Sequence, residues 1–551
     1  MHNSSIGSTP TALRRLGYLT AFLIVAARPL LAQEVDELIR AHVEELGAVG
    51  ELTVDGTAIA SRHMIPRVYE AREFTPTWTS AAQIEGLLEV IEESTLEGLD
   101  PGDYNVDAVR AAHAAFESDA VLTPAERAGI DIVLTDSVIR LGYHLRYGKV
   151  DPIELDPHWN LTRALVSEDP ARTIQEAIDA PSMREFAREV IPRNAFYRNL
   201  RSAFAEYRAL AAAGGWPSVP AGPTLAPGMR DARVPALRAR LAVTGDLDSV
   251  AVGAEPDVYD GATIEGVRRF QARHGLEQDG AVGPATLAAL NVPVETRIEQ
   301  MRVNLERARW VLGDLGDDFL VVNVAGFRLY VVRRNEIVWT TRVQVGQPYR
   351  RTPIFVATLS YLVFNPTWTV PPTILRRDIL PAVRNNVGYL ATRNIDVIDD
   401  SGMVVDPTTI DWSGSTFPYR FVQRPGPNNA LGRVKFMFPN EHFVYLHDTP
   451  SRDLFDRESR AFSSGCIRVE DPLELARLLL RRGWDEDRIN DVIAAGRTET
   501  ISLDDPITVL LLYWTAEAGD AGRPIFYADV YARDAEVSAA LAAPFRPSPR
   551  L

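Results

Sequence analysis

The chain has 551 residues, 46% of them hydrophobic and 24% charged, with a net charge of −16 and a pI near 5.2. That length exceeds one core and implies roughly three to four domains, and the acidic balance argues against a nucleic-acid partner, which asks for a basic surface. The single cysteine, Cys466, excludes an internal disulfide and is either a buried apolar filler or a thiol kept for reactivity.

Arg14 and Arg15, the uncharged and mostly apolar Leu16 to Ala27, and the small residues after them have the form of an export signal over residues 1–32, with a cut after Ala32. The apolar run is shorter than the roughly 20 residues of a membrane span, and no later stretch is long enough. Membrane association is expected only through an uncleaved signal.

Residues 34–213 read as a mainly helical scaffold domain. Apolar residues recur at helical spacing in Val35 to Leu46 and at Ile84, Leu87, Leu88 and Ile91. Thr123-Pro124-Ala125-Glu126 is a helix-start signature, and Gly148 suits the end of the same helix. Residues 214–228 are rich in Gly and Pro, carry no charge and read as a linker. Residues 229–292 form a small unit of three short helices, with Leu237 and Leu241 on one face and Ile264, Val267 and Phe270 on another. Glu295 to Leu312 predicts a helix leading into a mainly-β region over 295–551. Its strands are expected at Phe319 to Val324, Phe327 to Val332, Ile337 to Val345, Ala357 to Phe364, Val434 to Phe438, Phe443 to Leu446, Val509 to Tyr513 and Ile525 to Val530. Residues 371–423 interrupt that pattern with Pro, Asp, Ser and Gly, and are expected to be an insertion that caps a site. Asp471 and Glu474 mark the start of a helix running from Pro472 to Arg481. The fold class expected is multidomain α+β.

Reactive residues concentrate between His442 and Pro472. His447 ends an alternating apolar stretch, and Cys466 follows nineteen residues later within Ser463-Ser464-Gly465-Cys466-Ile467-Arg468. A thiol attacks a carbonyl as thiolate, and a nearby imidazole takes its proton and lowers its pKa. Gly465 permits the close backbone approach that an oxyanion site needs. Arg468 adds positive charge that favours the thiolate or meets a substrate carboxylate. Tyr445 shares a strand face with His447 by period-two alternation.

His447-Asp448-Thr449 followed by Ser463-x-Gly465-Cys466-Ile467-Arg468 resembles the signature of the L,D-transpeptidase (YkuD-type) catalytic domain. Asn323-Val324, Leu329-Tyr330, Val345-Gly346 and Thr352-Pro353 fit its first half. The longer run from His447-Asp448-Thr449-Pro450-Ser451-Arg452 to Leu454-Phe455 resembles the large YcbB-like subgroup, and His144 to Asp151 resembles its scaffold domain. The segment 229–292 resembles the three-helix peptidoglycan-binding domain through Phe270-Gln271, Gly275-Leu276, Asp279-Gly280, Gly283 and Thr286. Ser464 stands where the common motif has His, and Phe355 stands where a Gly is usual; both departures occur in the subgroup.

The resemblance implies a cysteine-dependent acyltransferase in the periplasm of a Gram-negative bacterium, with no cofactor and no metal. Cys466 would attack the diaminopimelate–D-Ala bond of a tetrapeptide stem, with His447 as base, amides near Gly465 and Cys466 as oxyanion donors, and the Gly465 carbonyl orienting His447. Release of D-Ala and transfer to an amine of a second stem give a 3→3 cross-link. Tyr445, Arg468, Ser463, Ser464 and Trp368, at the edge of the insertion, are candidate substrate contacts. Implied partners are peptidoglycan stem peptides and glycan strands, with other wall synthases, and carbapenems are expected to acylate the thiol. Within the family the acceptor is also a lipoprotein lysine or water.

Other readings of the residues are weaker. A zinc site from His442, His447 and Cys466 fails on spacing, because two residues five apart face opposite sides of a strand. Ser463 and Ser464 lack a nucleophile elbow. No spacing singles out a glycosidase pair among 74 acidic residues. His144, His158 and His274 read as structural or surface groups, and Trp310 as core. A non-catalytic peptidoglycan-binding scaffold is the remaining class, against which His447 and Cys466 argue.

Overall fold

The computed structural model describes residues 32–118, 120–156, 159–160, 169–180, 182–248, 255–313, 315–414, 417–519 and 522–545. The export segment lies outside them except for Ala32, as does His158. Among the described residues no helix is long and apolar enough to cross a membrane.

Two compact units divide the chain, one drawn from Met1–Asp151, Thr162–Pro192 and Ala540–Leu551, the other from Pro152–Leu161 and Arg193–Ala539. The helical unit is therefore not the continuous 34–213 expected. Helix Ala195–Ala212 belongs to the second unit, where Phe196 and Tyr330 meet with ring centroids 5.7 Å apart. The last residues of the supposed catalytic segment belong to the first.

In the first unit a helix over 32–49 precedes a hairpin of β1 (Leu52–Val54) and β2 (Thr57–Ile59). The central helix, Pro124–Tyr147, is buried on nearly every side. Its burial is possible because its acids are engaged: Asp131 accepts from Tyr69 Oη at 2.8 Å and from the Thr77 and Trp78 amides, and Asp136 accepts from the Ala60 and Ser61 amides. Thr123 and Glu126 close a capping box at its start, and Gly148, at φ +84°, ends it.

In the second unit, helices Val234–Val243, Gly261–Arg273 and Pro284–Leu290 surround Leu237, Leu241, Val267 and Phe270. The buried Gln271 carboxamide organises their turn. Its nitrogen donates to Asp279 Oδ1 (2.7 Å), the Ala281 carbonyl (3.0 Å) and Thr286 Oγ1 (3.2 Å), and its oxygen accepts from the Gly280 amide (2.9 Å). Gly280 has φ +73°, and a Cβ there would lie 2.8 Å from Ile264. Four of the residues that carried the peptidoglycan-binding resemblance, Gln271, Asp279, Gly280 and Thr286, thus meet at one hydrogen-bonded knot. His274 stacks on Phe270 and is structural.

Helix Val294–Leu312 leads into the large sheet. Its strands are β3 (Phe319–Asn323), β4 (Arg328–Arg333), β5 (Glu336–Gly346) and β6 (Phe355–Phe364). After an insertion come β11 (Val434–Met437), β12 (Leu446–His447), β13 (Ala461–Ser463), β14 (Ile467–Val469) and β15 (Glu499–Leu512). The order is β13-β5-β14-β12-β11-β6-β15-β3-β4, and β4 also pairs with β5, so the sheet closes on itself. The insertion carries β7 (Trp368–Thr369), β8 (Ile395–Ile398), β9 (Val404–Val405) and β10 (Arg420–Gln423), ordered β7-β10-β8-β9. It has a core of its own, with Leu380, Val383, Val397 and Phe421. The expected insertion over 371–423 is thus a small folded layer of short helices and strands.

Helix Pro472–Leu480 starts at Asp471, whose side chain accepts from Thr341 Oγ1 (3.2 Å) and makes no cap bond. The expected strand Phe443 to Leu446 is mostly irregular, because Phe443 takes φ +55° and Asn440 pins the turn through Val444. The closing strand expected at Ile525 to Val530 is only β17 (Pro524–Phe526), paired with β16 (Ala516–Ala518).

Thr123→Ala removes the capping-box acceptor and should cost about 1 kcal/mol. The check is the thermal midpoint of the first unit's transition, followed by helical ellipticity, against wild type.

Candidate active site

Three strand pairings build the site. β12 runs parallel to β14 with His447 opposite Arg468, and antiparallel to β11 with His447 opposite Lys435. β14 in turn sets Arg468 opposite Gln344 of β5. Directly opposed residues share a face, so Lys435, His447, Arg468 and Gln344 form one polar row across four strands. Tyr445 and Cys466, each two positions earlier, lie just before β12 and β14, and the Tyr445 ring reaches His447. The other face carries Phe436, Leu446 and Ile467, all fully buried. Apolar burial behind fixes the register that aligns the polar row in front.

Within the row, Arg468 Nη1 donates to Gln344 Oε1 (3.1 Å). The rings of Tyr445 and His447 lie 5.7 Å apart, and Lys435 Nζ sits 5.7 Å from the Tyr445 ring centroid. The Tyr445 side chain hydrogen-bonds Cys466, whose Sγ also lies 3.8 Å from the Phe443 carbonyl. Phe443 itself is 84% exposed.

The loop before Cys466 is held from within and below. Ser463 Oγ donates to the Cys466 carbonyl and accepts from the Gly465 amide (3.1 Å). Gly465 has φ +119°, which favours glycine and turns its carbonyl onto Thr352 Oγ1 (2.8 Å). Thr352 Oγ1 also accepts from the Gly346 amide (2.9 Å), and Tyr531 Oη bridges the Gly346 carbonyl and the Thr352 amide. A Cβ on Gly346 would lie 2.1 Å from the Arg350 carbonyl, so only glycine fits this turn.

These bonds change two expectations. The Gly465 carbonyl accepts from Thr352 and is not the recorded partner of His447. The Asp448 carbonyl takes that place, 2.5 Å from His447 Nδ1. A carbonyl only accepts, so Nδ1 carries the proton and Nε2 is left as a base. The Asp448 carboxylate is itself gripped by the Arg433 and Thr449 amides (2.9 and 2.8 Å) and the Arg433 and Arg452 side chains. The Gly465 amide is spent on Ser463 Oγ. Among the described residues the Cys466 amide has no recorded acceptor and stays free beside the sulfur.

Not every candidate faces the sulfur. Ser463 is 3% exposed and serves the loop. Ser464 accepts from Arg350 Nη1 (2.7 Å), which also pairs with Asp378 of the insertion (3.0 Å). Trp368 lies in β7 opposite Gln423 and packs on the insertion's own core. His442, from the zinc alternative, packs its ring on Phe355 at 4.9 Å. Sequence reasoning missed Lys435, Gln344, Thr352 and Tyr531 as parts of the site. The one available signal was Lys435, a lone charge within Val434-Lys435-Phe436-Met437.

Burial, then Arg468 and Lys435, push the His447 pKa down to about 3 against the pull of its Asp448 bond. Burial pushes the Cys466 thiol up, only partly offset by the Tyr445 hydrogen bonds and Arg468. Both shifts run against the thiolate and the imidazolium and so against an ion pair of the kind expected. Desolvation is the reason, since it penalises both charged forms.

Folded His447 stays neutral down to about pH 3, whereas an unfolded histidine takes a proton near pH 6.5. The contribution of this group to stability is therefore full above about pH 6.5 and falls by about 1.4 kcal/mol per unit as pH drops toward 3. His447→Asn should remove about 2 kcal/mol of the wild-type loss between pH 7 and pH 5. Urea unfolding at the two pH values measures it.

Comparison with known proteins agrees with this geometry. Residues 317–501 match the model of the L,D-transpeptidase catalytic domain (YkuD), residues 230–290 that of the "Putative peptidoglycan binding domain", and residues 63–204 that of the "Scaffold domain". A "Putative L,D-transpeptidase" from Haemophilus influenzae is 37% identical over 245 residues, covering 44% of this chain. The chain spans about half of that relative's length, 49%. Among solved structures, an L,D-transpeptidase from Xylanimonas cellulosilytica is 17% identical with a TM-score of 0.18, covering 53% of this chain and 98% of its own. L,D-transpeptidase 1 of Mycobacterium tuberculosis is 15% identical with a TM-score of 0.14, covering 35% and 61%. Those two scores are too low to support a statement about fold or activity. The domain matches and the relative identify this chain as one that carries a YkuD-type L,D-transpeptidase catalytic domain together with a peptidoglycan-binding domain and a scaffold domain.

Proposed function

We propose that the protein is a cysteine-dependent peptidoglycan L,D-transpeptidase that forms 3→3 cross-links. The observation that carries the reading is the parallel pairing of β14 with β12, with Cys466 just before the one and His447 on the other, held as the Nδ1–H tautomer by the Asp448 carbonyl.

The chemistry runs from that tautomer. As Cys466 Sγ attacks the carbonyl between diaminopimelate and the terminal D-Ala, its proton passes to His447 Nε2. The Cys466 amide meets the developing oxyanion. Collapse breaks the C–N bond, and the imidazolium returns the proton to the leaving D-Ala amine. A thioester remains on Sγ. The side-chain amine of a second stem then attacks it, loses a proton to His447 and expels the thiol. Tyr445 hydrogen-bonds the sulfur throughout, and Arg468 stabilises its anionic form. Carbapenems would acylate the same thiol. The peptidoglycan substrate places the site outside the cytoplasm, in the periplasm on this reading, with wall synthases as partners.

Purified protein incubated with disaccharide-tetrapeptide should give a dimer that lacks one D-Ala, and Cys466→Ala should give none, as read by mass spectrometry. Tripeptide without dimer would make water the acceptor. No turnover, with peptidoglycan still bound, would make the chain a binding scaffold.

A further inference from the structure

Two cations flank His447, and neither has a carboxylate partner among the described residues. Lys435 stands opposite it on β11 and Arg468 opposite it on β14. Lys435 is half-buried, and its nearest recorded polar neighbour is the face of Tyr445. Arg468 donates to the neutral Gln344 carboxamide, while its Nε is buried with no acceptor. The nearby carboxylate of Asp448 is turned the other way, onto Arg433 and Arg452. Elsewhere in the same unit the buried guanidiniums of Arg273, Arg307 and Arg309 each meet a carboxylate, while that of Arg240 is satisfied by the Leu290 carbonyl, Thr244 Oγ1 and the Trp216 ring. Holding two partly desolvated cations on either side of one imidazole without a counter-ion is costly, and here it also lowers the basicity of that imidazole. A site that tolerates both costs is arranged for an anion that arrives with the ligand.

We propose that Lys435 and Arg468 form a carboxylate subsite that binds the C-terminal carboxylate of the donor stem, one residue beyond the bond Cys466 attacks. This deepens the transpeptidase reading and rests on it. The reach fits. Adjacent strands lie about 4.8 Å apart, so the two backbones stand roughly 10 Å from each other with His447 between them. Both side chains are long enough to converge above the imidazole. The terminal carboxylate is joined to the scissile carbonyl only through the amide nitrogen and one Cα, so it falls beside His447 when that carbonyl is at the sulfur. The subsite thereby selects stems that end directly after the scissile bond. A stem longer by one residue carries its carboxylate farther out and presents a neutral amide to the two cations.

The test uses the full chain with Cys466→Ala, so that binding is read without turnover. Calorimetric titration with disaccharide-tetrapeptide and with its C-terminal amide should show the acid binding at least about tenfold tighter, as charge-assisted bonds predict. Adding Lys435→Met should bring the acid down to the level of the amide, and Lys435→Arg should restore most of the difference. The melting temperature of each variant guards against misfolding. Equal affinities for acid and amide, no binding of either, or discrimination that survives Lys435→Met would each overturn the proposal. Turnover by the protein with Cys466 intact is measured separately. Acid–amide discrimination without any dimer or tripeptide would sink the transpeptidase reading and leave the carboxylate subsite standing.

Discussion

The parallel pairing of β12 with β14 is the constraint on which the site depends. It sets His447 against Arg468, with Cys466 just before β14, although nineteen residues separate the histidine from the cysteine. The register is fixed from behind, where Leu446 and Ile467 oppose each other at zero exposure beside Phe436. A slip of one residue would turn these apolar side chains outward and the reactive ones into the core. The hydrophobic core therefore specifies which side chains meet at the site.

Backbone groups, rather than a charged third residue, do the positioning. The Asp448 carbonyl selects the tautomer of His447, and the Asp448 carboxylate is occupied in fixing its own loop. Gly432, at φ +61°, leaves room for it; a Cβ there would lie 2.4 Å from Asp448 Cγ. On the other side Thr352 ties the Gly346 turn to the Gly465 carbonyl. Arg350 carries that connection on to Ser464 and to Asp378 of the insertion. The insertion thus touches the nucleophile loop through one half-exposed ion pair of the kind worth little in energy, while the loop itself rests on buried bonds.

What the sequence displayed was local. Thr123 and Glu126 announced a helix start because a capping box is written in four consecutive residues. The long strands showed alternation because each buries one face over five or more positions. The loop around Gly465 and Cys466 was legible as a candidate, and His447 with it. The partners of that loop were not. Thr352 and Tyr531 reach the loop and its supporting turn through hydrogen bonds that span 113 and 185 residues of chain, and no local pattern states those partners. β13 and β14 are three residues each, too short to show a period. Lys435 looked like an ordinary solvent-facing charge, because its meaning comes from the strand beside it. The strands of the insertion were not legible, since they are two to four residues long and its core is assembled from distant pieces. The apolar stripe of helix Ala195–Ala212 shows that it packs, not against what, and its contact with Tyr330 was not legible.

The central claim is that the resting site holds a neutral thiol beside a neutral imidazole, with the ion pair formed only during attack. Iodoacetamide alkylation of Cys466 as a function of pH tests it most directly, since this is the one cysteine and only its thiolate reacts. The account predicts a rate that climbs with an apparent pKa above the roughly 8.5 of a free thiol, with no plateau at neutral pH. A plateau from about pH 6 upward, abolished in His447→Asn, would reveal a resting thiolate–imidazolium pair and contradict it.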